Sequence, residues 1–199
     1  VIVKAVPADD MKEVARVPLE GHRGRIFLNG DHLVVVTELW DGDTVSSLAG
    51  SSVDLSGNMV KATWVDISDR NAPSVFRELY MEGRINSARQ VDDTMYLVTA
   101  RWMRGPAASS DSGVITGHIK SSDLDSWLPE RVDLRLEAAG WTSEQAFLTS
   151  CSNVYEAANP AGTVLTSIVS LSASDPMAGP GGVGVLSPAG VVRLADDLL

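Results

Sequence analysis

Short apolar and β-branched stretches alternate with polar turn clusters along most of the chain, and this pattern predicts strands. Leu33–Thr37 is a β-branched run typical of a strand that is buried on both faces. Asn29-Gly30-Asp31 directly precedes it and predicts a type I′ hairpin turn, because Asn-Gly accepts a positive φ. Ile85–Val91 and Thr94–Trp102 predict a second hairpin across Asp92-Asp93. The sequence therefore predicts an all-β fold.

The two predicted hairpins belong to an internal repeat with an offset of 62 residues. Residues 20–37 and 82–99 align without a gap, and five of the eighteen positions are identical, where chance would give about one. The identical pairs are Glu20/Glu82, Gly21/Gly83, Asp31/Asp93, Val36/Val98 and Thr37/Thr99. A long fixed period is typical of an array of similar supersecondary units that pack on one another.

A weaker third copy occupies residues 163–176, where Val169 and Leu171 match Val65 and Ile67. Repeats of four short strands with variable loops are typical of four-stranded antiparallel β-propeller blades. We expect blade-like repeats at about 1–62, 63–113 and 160–199, with an irregular insertion at 114–159 and one short helix near 121–127. Two to three blades form an incomplete ring, so we expect the remaining blades in a longer parent chain.

Composition narrows the class of partner. The chain is 44% hydrophobic and 21% charged, as expected for a globular protein, and its net charge is −10. That charge repels phosphate backbones, so nucleic acid is not an expected partner. We expect no membrane span in this segment, because no apolar run reaches the necessary length. The single cysteine, Cys151, is interpreted as a small buried hydrophobic residue.

Several motifs, taken in their order along the chain, resemble a bacterial and archaeal family of secreted proteins, the beta-propeller domain family. They are Val65–Asp69 with Asn71 and Pro73, Glu82–Thr99, Leu128-Pro129 followed by Cys151–Tyr155, and Thr166–Leu171. One departure is Ala88-Arg89, where the family has Ser-Arg. The resemblance implies a propeller fold and an extracytoplasmic or secreted location. It implies no reaction, because no catalytic residue can be carried over.

Paired carboxylates in predicted loops are the candidates for metal binding. Asp41-Gly42-Asp43 and Asp123-Leu124-Asp125 each place two carboxylates one residue apart, and such a loop can supply two or three of the oxygen ligands that calcium needs. The alternative is that these aspartates form turns or cap a helix. Calcium is therefore the only cofactor that the sequence suggests, and the cofactor stays unknown.

Arg84 and Arg89 are the candidate ligand-binding residues, with a place in the central channel of a propeller. At a period of two, Arg84 shares a face with Ala88, and Arg89 shares the other face with Ile85. The alternative is a structural role, in which each arginine pairs with a turn aspartate of a neighbouring blade.

Two tryptophans follow the same period. Trp40 and Trp102 lie 62 residues apart, just after each Val-Thr pair. This regularity favours packing between blades, and stacking on a sugar ring is the functional alternative.

The sequence contains no P-loop, G-x-S-x-G, H-E-x-x-H or dinucleotide-binding fingerprint, and we assign no catalytic residue. We therefore expect a non-catalytic extracytoplasmic module that binds a protein or a cell-surface polysaccharide. One alternative is a hydrolase or lyase with a carboxylate or metal site in the channel, which requires His22, Asp66, Arg89 and Asp93 to converge in one pocket. Another is a fragment with a purely structural role.

Overall fold

The computed structural model describes residues 1–40, 57–103, 127–156 and 162–188, and most of these residues lie in strands. The strands are β1 Ile2–Lys4, β2 Lys12–Ala15, β3 His22–Asn29, β4 His32–Leu39, β5 Met59–Asp66, β6 Ser74–Glu82, β7 Arg84–Val91, β8 Thr94–Trp102, β9 Glu130–Glu137, β10 Gly140–Phe147, β11 Val154–Glu156, β12 Val164–Ser172 and β13 Gly181–Leu186. Short 3₁₀ turns span Ala8–Asp10 and Cys151–Asn153. The predicted all-β class is confirmed.

Two large sheets each contain a four-stranded antiparallel unit. In the first sheet, ordered β10-β9-β6-β5-β4-β3, the strands β3 to β6 form a meander that we call the first blade. In the second sheet, ordered β11-β13-β12-β8-β7, we call the antiparallel strands β7, β8, β12 and β13 the second blade. The four-stranded units are present, but the β9–β10 hairpin enlarges the first sheet and the parallel strand β11 enlarges the second. The described strands do not close a ring.

The repeat detected in the sequence is reproduced in the backbone. His22 pairs with Glu38 in the first hairpin, and Arg84 pairs with Ala100 in the second, so the 62-residue offset holds on both strands. Each hairpin also carries a register shift close to that pair, between His22 and Arg25 in the first and between Ile85 and Ser87 in the second. The two copies therefore share one strand register and one irregularity.

The turn of the first hairpin differs from the predicted type I′ geometry, and the turn of the second hairpin has the same pattern of φ. Each loop has two residues, and only the first has a positive φ, +58° at Gly30 and +48° at Asp92. A type I′ turn needs a positive φ at both central positions. The Asn-Gly signal therefore located the hairpin correctly but gave the wrong turn type.

Strand pairing corrects the alignment of the third copy. Val65 pairs with Leu33, and Leu171 pairs with Met95, the residue 62 positions after Leu33. Val65 therefore corresponds to Leu171 and not to Val169. A shift of two residues leaves each side chain on the same face of the sheet, so the hydrophobic pattern alone could not detect it.

Only part of the predicted division into repeat units falls on residues that the structure describes. The boundary between residues 62 and 63 lies inside β5. Residues 121–126 of the predicted helix lie outside the described residues, as do parts of the proposed insertion and of the last repeat. The three unit boundaries stay a prediction.

The main hydrophobic core lies between the two sheets. Its buried side chains come from both of them and include Val34, Val60, Trp64, Leu79 and Met81 of the first blade and Met95, Leu97, Val169 and Leu171 of the second. Complete burial of one such side chain stabilises the fold by roughly 1.5–3 kcal/mol. Each blade therefore shields the apolar face of the other from water.

A buried arginine ties the two sheets together at one end. Arg77 of β6 binds Asp133 of β9, and its Nη1 also donates to the carbonyl oxygens of Pro176 (2.6 Å) and Ala178 (2.9 Å). Those two carbonyls belong to the segment between β12 and β13 of the second blade. The contact fixes how the blades are placed relative to each other.

Cys151 is exposed, so its interpretation as a buried residue was wrong; it lies in a short 3₁₀ turn and not in a strand of the core.

Within the described ranges, the structure has no helix of the length and hydrophobicity that a membrane crossing requires.

Candidate functional site

A pocket of about 440 Å³ lies where the first and second blades meet at one end of their strands. Both hairpins of the repeat contribute to its wall. The first supplies Arg23 and Glu38, and the second supplies Arg84, Asn86, Arg101 and Trp102. The wall therefore combines three cations, one carboxylate and one large aromatic ring.

A glycine and a bulge set the position of Arg84. Gly83 has a φ of +121°, and a Cβ at this position would lie 3.0 Å from the carbonyl oxygen of Ala100, so only glycine lets β7 start so close to β8. The following register shift breaks the period-two alternation, and Ile85 and Ala88 both pack against the core. The prediction that Arg84 shares a face with Ala88 is therefore wrong, since a bulge inserts one residue between them.

Glu38 is a buried carboxylate in the pocket wall. Its side chain is only 4% exposed. Oε1 accepts a hydrogen bond from the backbone N–H of Ile85 at 3.0 Å, which joins β4 of the first blade to β7 of the second. Oε2 has no hydrogen-bond partner in the described part of the chain and lies 3.6 Å from Nη1 of Arg23. One carboxylate oxygen thus keeps unused acceptor capacity.

Arg101 is already engaged by the protein. It forms an ion pair with the buried carboxylate of Glu82 at 3.0 Å and donates to the carbonyl oxygen of Leu128 at 3.2 Å. Glu82 in turn accepts the backbone N–H of Glu130 at 2.9 Å. These bonds hold the segment before β9 against the blades, so Arg101 has a structural role.

Arg84 differs from Arg101. It is exposed and forms no hydrogen bond or ion pair with any residue that the structure describes. The structural alternative, an ion pair with a turn aspartate, is not seen within those residues. A ligand-binding role for Arg84 stays a prediction, now with a pocket beside it.

Trp102 also has a side chain that a ligand in the pocket can contact. Its side chain is 67% exposed in the pocket wall, so it does not pack between the two described blades. The matching residue of the first blade, Trp40, carries the ring of His22 at 4.6 Å and the guanidinium of Arg23 at 5.8 Å. At the positions that correspond to His22 and Arg23, the second blade has Arg84 and Ile85, and no aromatic ring covers Trp102 within the described ranges.

Arg89 lies outside the pocket. It is exposed on β7 and pairs with Tyr96, closer to the hairpin turn than Arg84 is. The structure therefore separates the two arginines that the sequence offered as ligand-binding residues.

The residues required for the hydrolase or lyase alternative do not converge. His22 pairs with Glu38 at one end of the first blade, whereas Asp66 pairs with His32 at the opposite end. Asp93 lies in the turn between β7 and β8. The backbone N–H of Ser68 donates to Asp66 at 2.8 Å and lowers the pKa of that carboxyl, as in an ordinary aspartate turn.

The candidate metal ligands Asp41, Asp43, Asp123 and Asp125 all lie outside the described residues. Among the residues that are described, no group of three or more His, Cys, Asp or Glu side chains is placed to hold a metal ion. Calcium binding through those four aspartates stays a prediction.

Comparison with known proteins gave one match. A family model described as "Beta propeller domain" matches residues 1–187. A search of curated proteins found no match. A search of solved structures found none either.

Proposed function

This chain belongs to the Beta propeller domain family, and from that premise we propose that it is a non-catalytic module that binds a cell-surface polysaccharide. The observation that carries the proposal is the pocket between the two blades, with the uncovered ring of Trp102 in its wall. An exposed aromatic ring offers a large apolar contact surface and loses little conformational entropy on binding. The C–H groups on one face of a sugar ring can stack on such a surface.

The geometry favours binding over catalysis in this pocket. Two of its polar groups are held by the fold, because Arg101 binds Glu82 and one oxygen of Glu38 binds the backbone of Ile85. Of the residues that a hydrolytic or eliminating site would use, His22 and Asp66 lie at opposite ends of the first blade, and Arg89 and Asp93 lie on the second blade. A module that holds its ligand without changing it requires only the stacking surface and the remaining hydrogen-bonding groups.

An extracytoplasmic location is part of the proposal and is supported by the resemblance of the sequence motifs to secreted propeller proteins. Fractionation of the source cells, with an antibody against this chain, tests it. The proposal expects the protein in the envelope or medium fraction, and recovery in the cytosolic fraction alone would contradict the location.

Affinity electrophoresis of the full chain in gels that contain a neutral or an acidic polysaccharide tests the binding function. We expect retardation in at least one gel, and Trp102→Ala should weaken it by about tenfold because a stacking surface is lost. Tyr155→Ala is the matched control, since Tyr155 is also an exposed aromatic residue but lies on β11, outside the pocket. Unretarded migration in every gel, or equal effects of the two variants, would overturn the proposal.

A further inference from the structure

We infer that the pocket selects an acidic sugar, with the carboxylate of a uronic acid residue on Arg84, its ring on Trp102 and one hydroxyl on Glu38. This inference rests on the proposed function and adds the chemical class of the ligand. Three groups in one wall of the pocket support it. Each of them can make a further contact that no described residue makes.

The first group is Oε2 of Glu38. A carboxylate oxygen that is shielded from water and accepts no hydrogen bond is unusual, because buried polar atoms normally find a partner. The other oxygen is fixed by Ile85, so the carboxylate cannot turn away from the pocket without breaking that bond. The exposed side chain of Arg23 lies 3.6 Å from Oε2. Because Oε2 itself is shielded from water, a sugar hydroxyl takes its place beside this oxygen when the Arg23 side chain moves aside.

The second group is the guanidinium of Arg84. Arg23 lies beside Glu38 and Arg101 is paired with Glu82, so Arg84 is left as the uncompensated positive charge of this wall. A guanidinium binds a carboxylate through two parallel hydrogen bonds, and that geometry separates it from a hydroxyl. The chain as a whole carries a net charge of −10, so the preference for an acidic sugar is local to the pocket.

The third group is the indole of Trp102, and the repeat shows why it is free. In the first blade the equivalent ring, Trp40, contacts His22 and Arg23 and is 40% exposed, against 67% for Trp102. The second blade replaces these two residues by Arg84 and Ile85. The same substitution therefore leaves more of the ring exposed and puts in the same pocket wall a cation that no described residue pairs with, and an acidic sugar ring requires both groups.

Isothermal titration of the full chain with a galacturonic acid trisaccharide, and with the same trisaccharide as its neutral methyl ester, tests the inference. The acid should bind about tenfold more tightly than the ester, as expected for a charge-assisted pair of hydrogen bonds. Arg84→Ala should remove that difference without weakening the ester. Glu38→Gln, which keeps an acceptor for Ile85, should weaken both ligands.

Arg89→Ala is the control, because it removes an exposed arginine from the same strand outside the pocket and should leave both affinities unchanged. Equal affinities for acid and ester, unaffected by Arg84→Ala, would overturn the acidic preference while the binding function stands. Binding of neither trisaccharide, together with retardation by a neutral polysaccharide, would also overturn the preference alone. Binding of neither trisaccharide and of no polysaccharide would overturn both proposals.

Discussion

Arg77 holds Asp133 with two hydrogen bonds, from Nε to Oδ1 at 2.9 Å and from Nη2 to Oδ2 at 2.7 Å, although 56 positions separate the two residues. The side chains are 1% and 0% exposed. The guanidinium also lies on the ring of Trp64, 4.5 Å from its centroid. Removal of Asp133 would leave the buried guanidinium of Arg77 with two carbonyl acceptors and no counter-charge. Removal of Arg77 would leave the carboxylate of Asp133 dependent on Arg135 and would leave those two carbonyls without this donor.

Arg77→Met is therefore expected to lower the free energy of unfolding by about 3–5 kcal/mol, the usual loss when one member of a buried pair is removed. Urea denaturation measures this. Glu13→Gln breaks the exposed pair between Glu13 and Arg16 and serves as the control, with no measurable change expected. Equal midpoints for Arg77→Met and the wild-type protein would show that the pair does not support the fold.

The same pair predicts a pH dependence. Burial acts to raise the pKa of Asp133, but hydrogen bonds from Arg77 and Arg135 outweigh it and leave the pKa below its ordinary value of 3.8. Folding therefore favours the charged carboxylate. Its stabilisation is fully present above the unfolded-state pKa of about 4 and is lost as the pH falls through the lower folded-state pKa.

Urea unfolding of the wild-type protein and of Asp133→Asn, at several values between about pH 6 and about pH 3, measures this dependence. The wild-type protein should lose stability more steeply on acidification than the variant, whose side chain cannot be protonated in this range. Parallel stability curves would contradict the assigned role of Asp133.

Two glycines of the first hairpin should respond differently to alanine. Gly21 has a φ of +90°, and an added Cβ would lie 2.6 Å from the carbonyl oxygen of Glu38. Gly30 has a φ of +58° with open space around it. Gly21→Ala should cost about 2–4 kcal/mol from backbone strain and overpacking, whereas Gly30→Ala should cost about 1–2 kcal/mol. Thermal unfolding compares the two, and a larger loss at Gly30 would contradict the described turn.

Tryptophan substitutions separate the pocket from the core. Trp102→Ala should change stability by no more than about 0.5 kcal/mol, because the residue is mostly exposed. Trp64→Ala should cost about 3–5 kcal/mol, since Trp64 is buried between the sheets. Denaturation of both variants checks this. A large loss for Trp102→Ala would restore the interpretation that Trp102 packs between blades.

The sequence predicted the repeated hairpins well because their signals are local. A shared glycine, a two-residue turn and an apolar run that ends in Val-Thr lie within each eighteen-residue window, and the strand register follows from them. β10 was not predicted, because Gly140–Phe147 is mostly polar and exposed and shows no apolar alternation. The charges of Lys61, Arg77 and Glu78 are buried inside strands, and their partners lie too far along the chain for a pattern to reveal them.

The pocket was predicted only in part. Arg84 could be proposed from the repeat, as a charge on a repeated strand. Glu38 was missed, since its role depends on a hydrogen bond to Ile85, 47 positions away, and on the packing of two blades. The only local signal was a carboxylate inside the apolar run 33–40. The bulge that separates Arg84 from the core face also depends on strand pairing, which period-two reasoning does not include.

The central claim is that the pocket between the repeated blades is the ligand site, and the indole N–H signals of the five tryptophans test it most directly. In a two-dimensional ¹H–¹⁵N spectrum of the full chain, titrated with the galacturonic acid trisaccharide, the signal of Trp102 should shift progressively and saturate. The signal of Trp64, which lies in the core, should stay in place. Saturable shifts confined to signals other than that of Trp102, or no shift of any indole signal on saturation, would contradict the account.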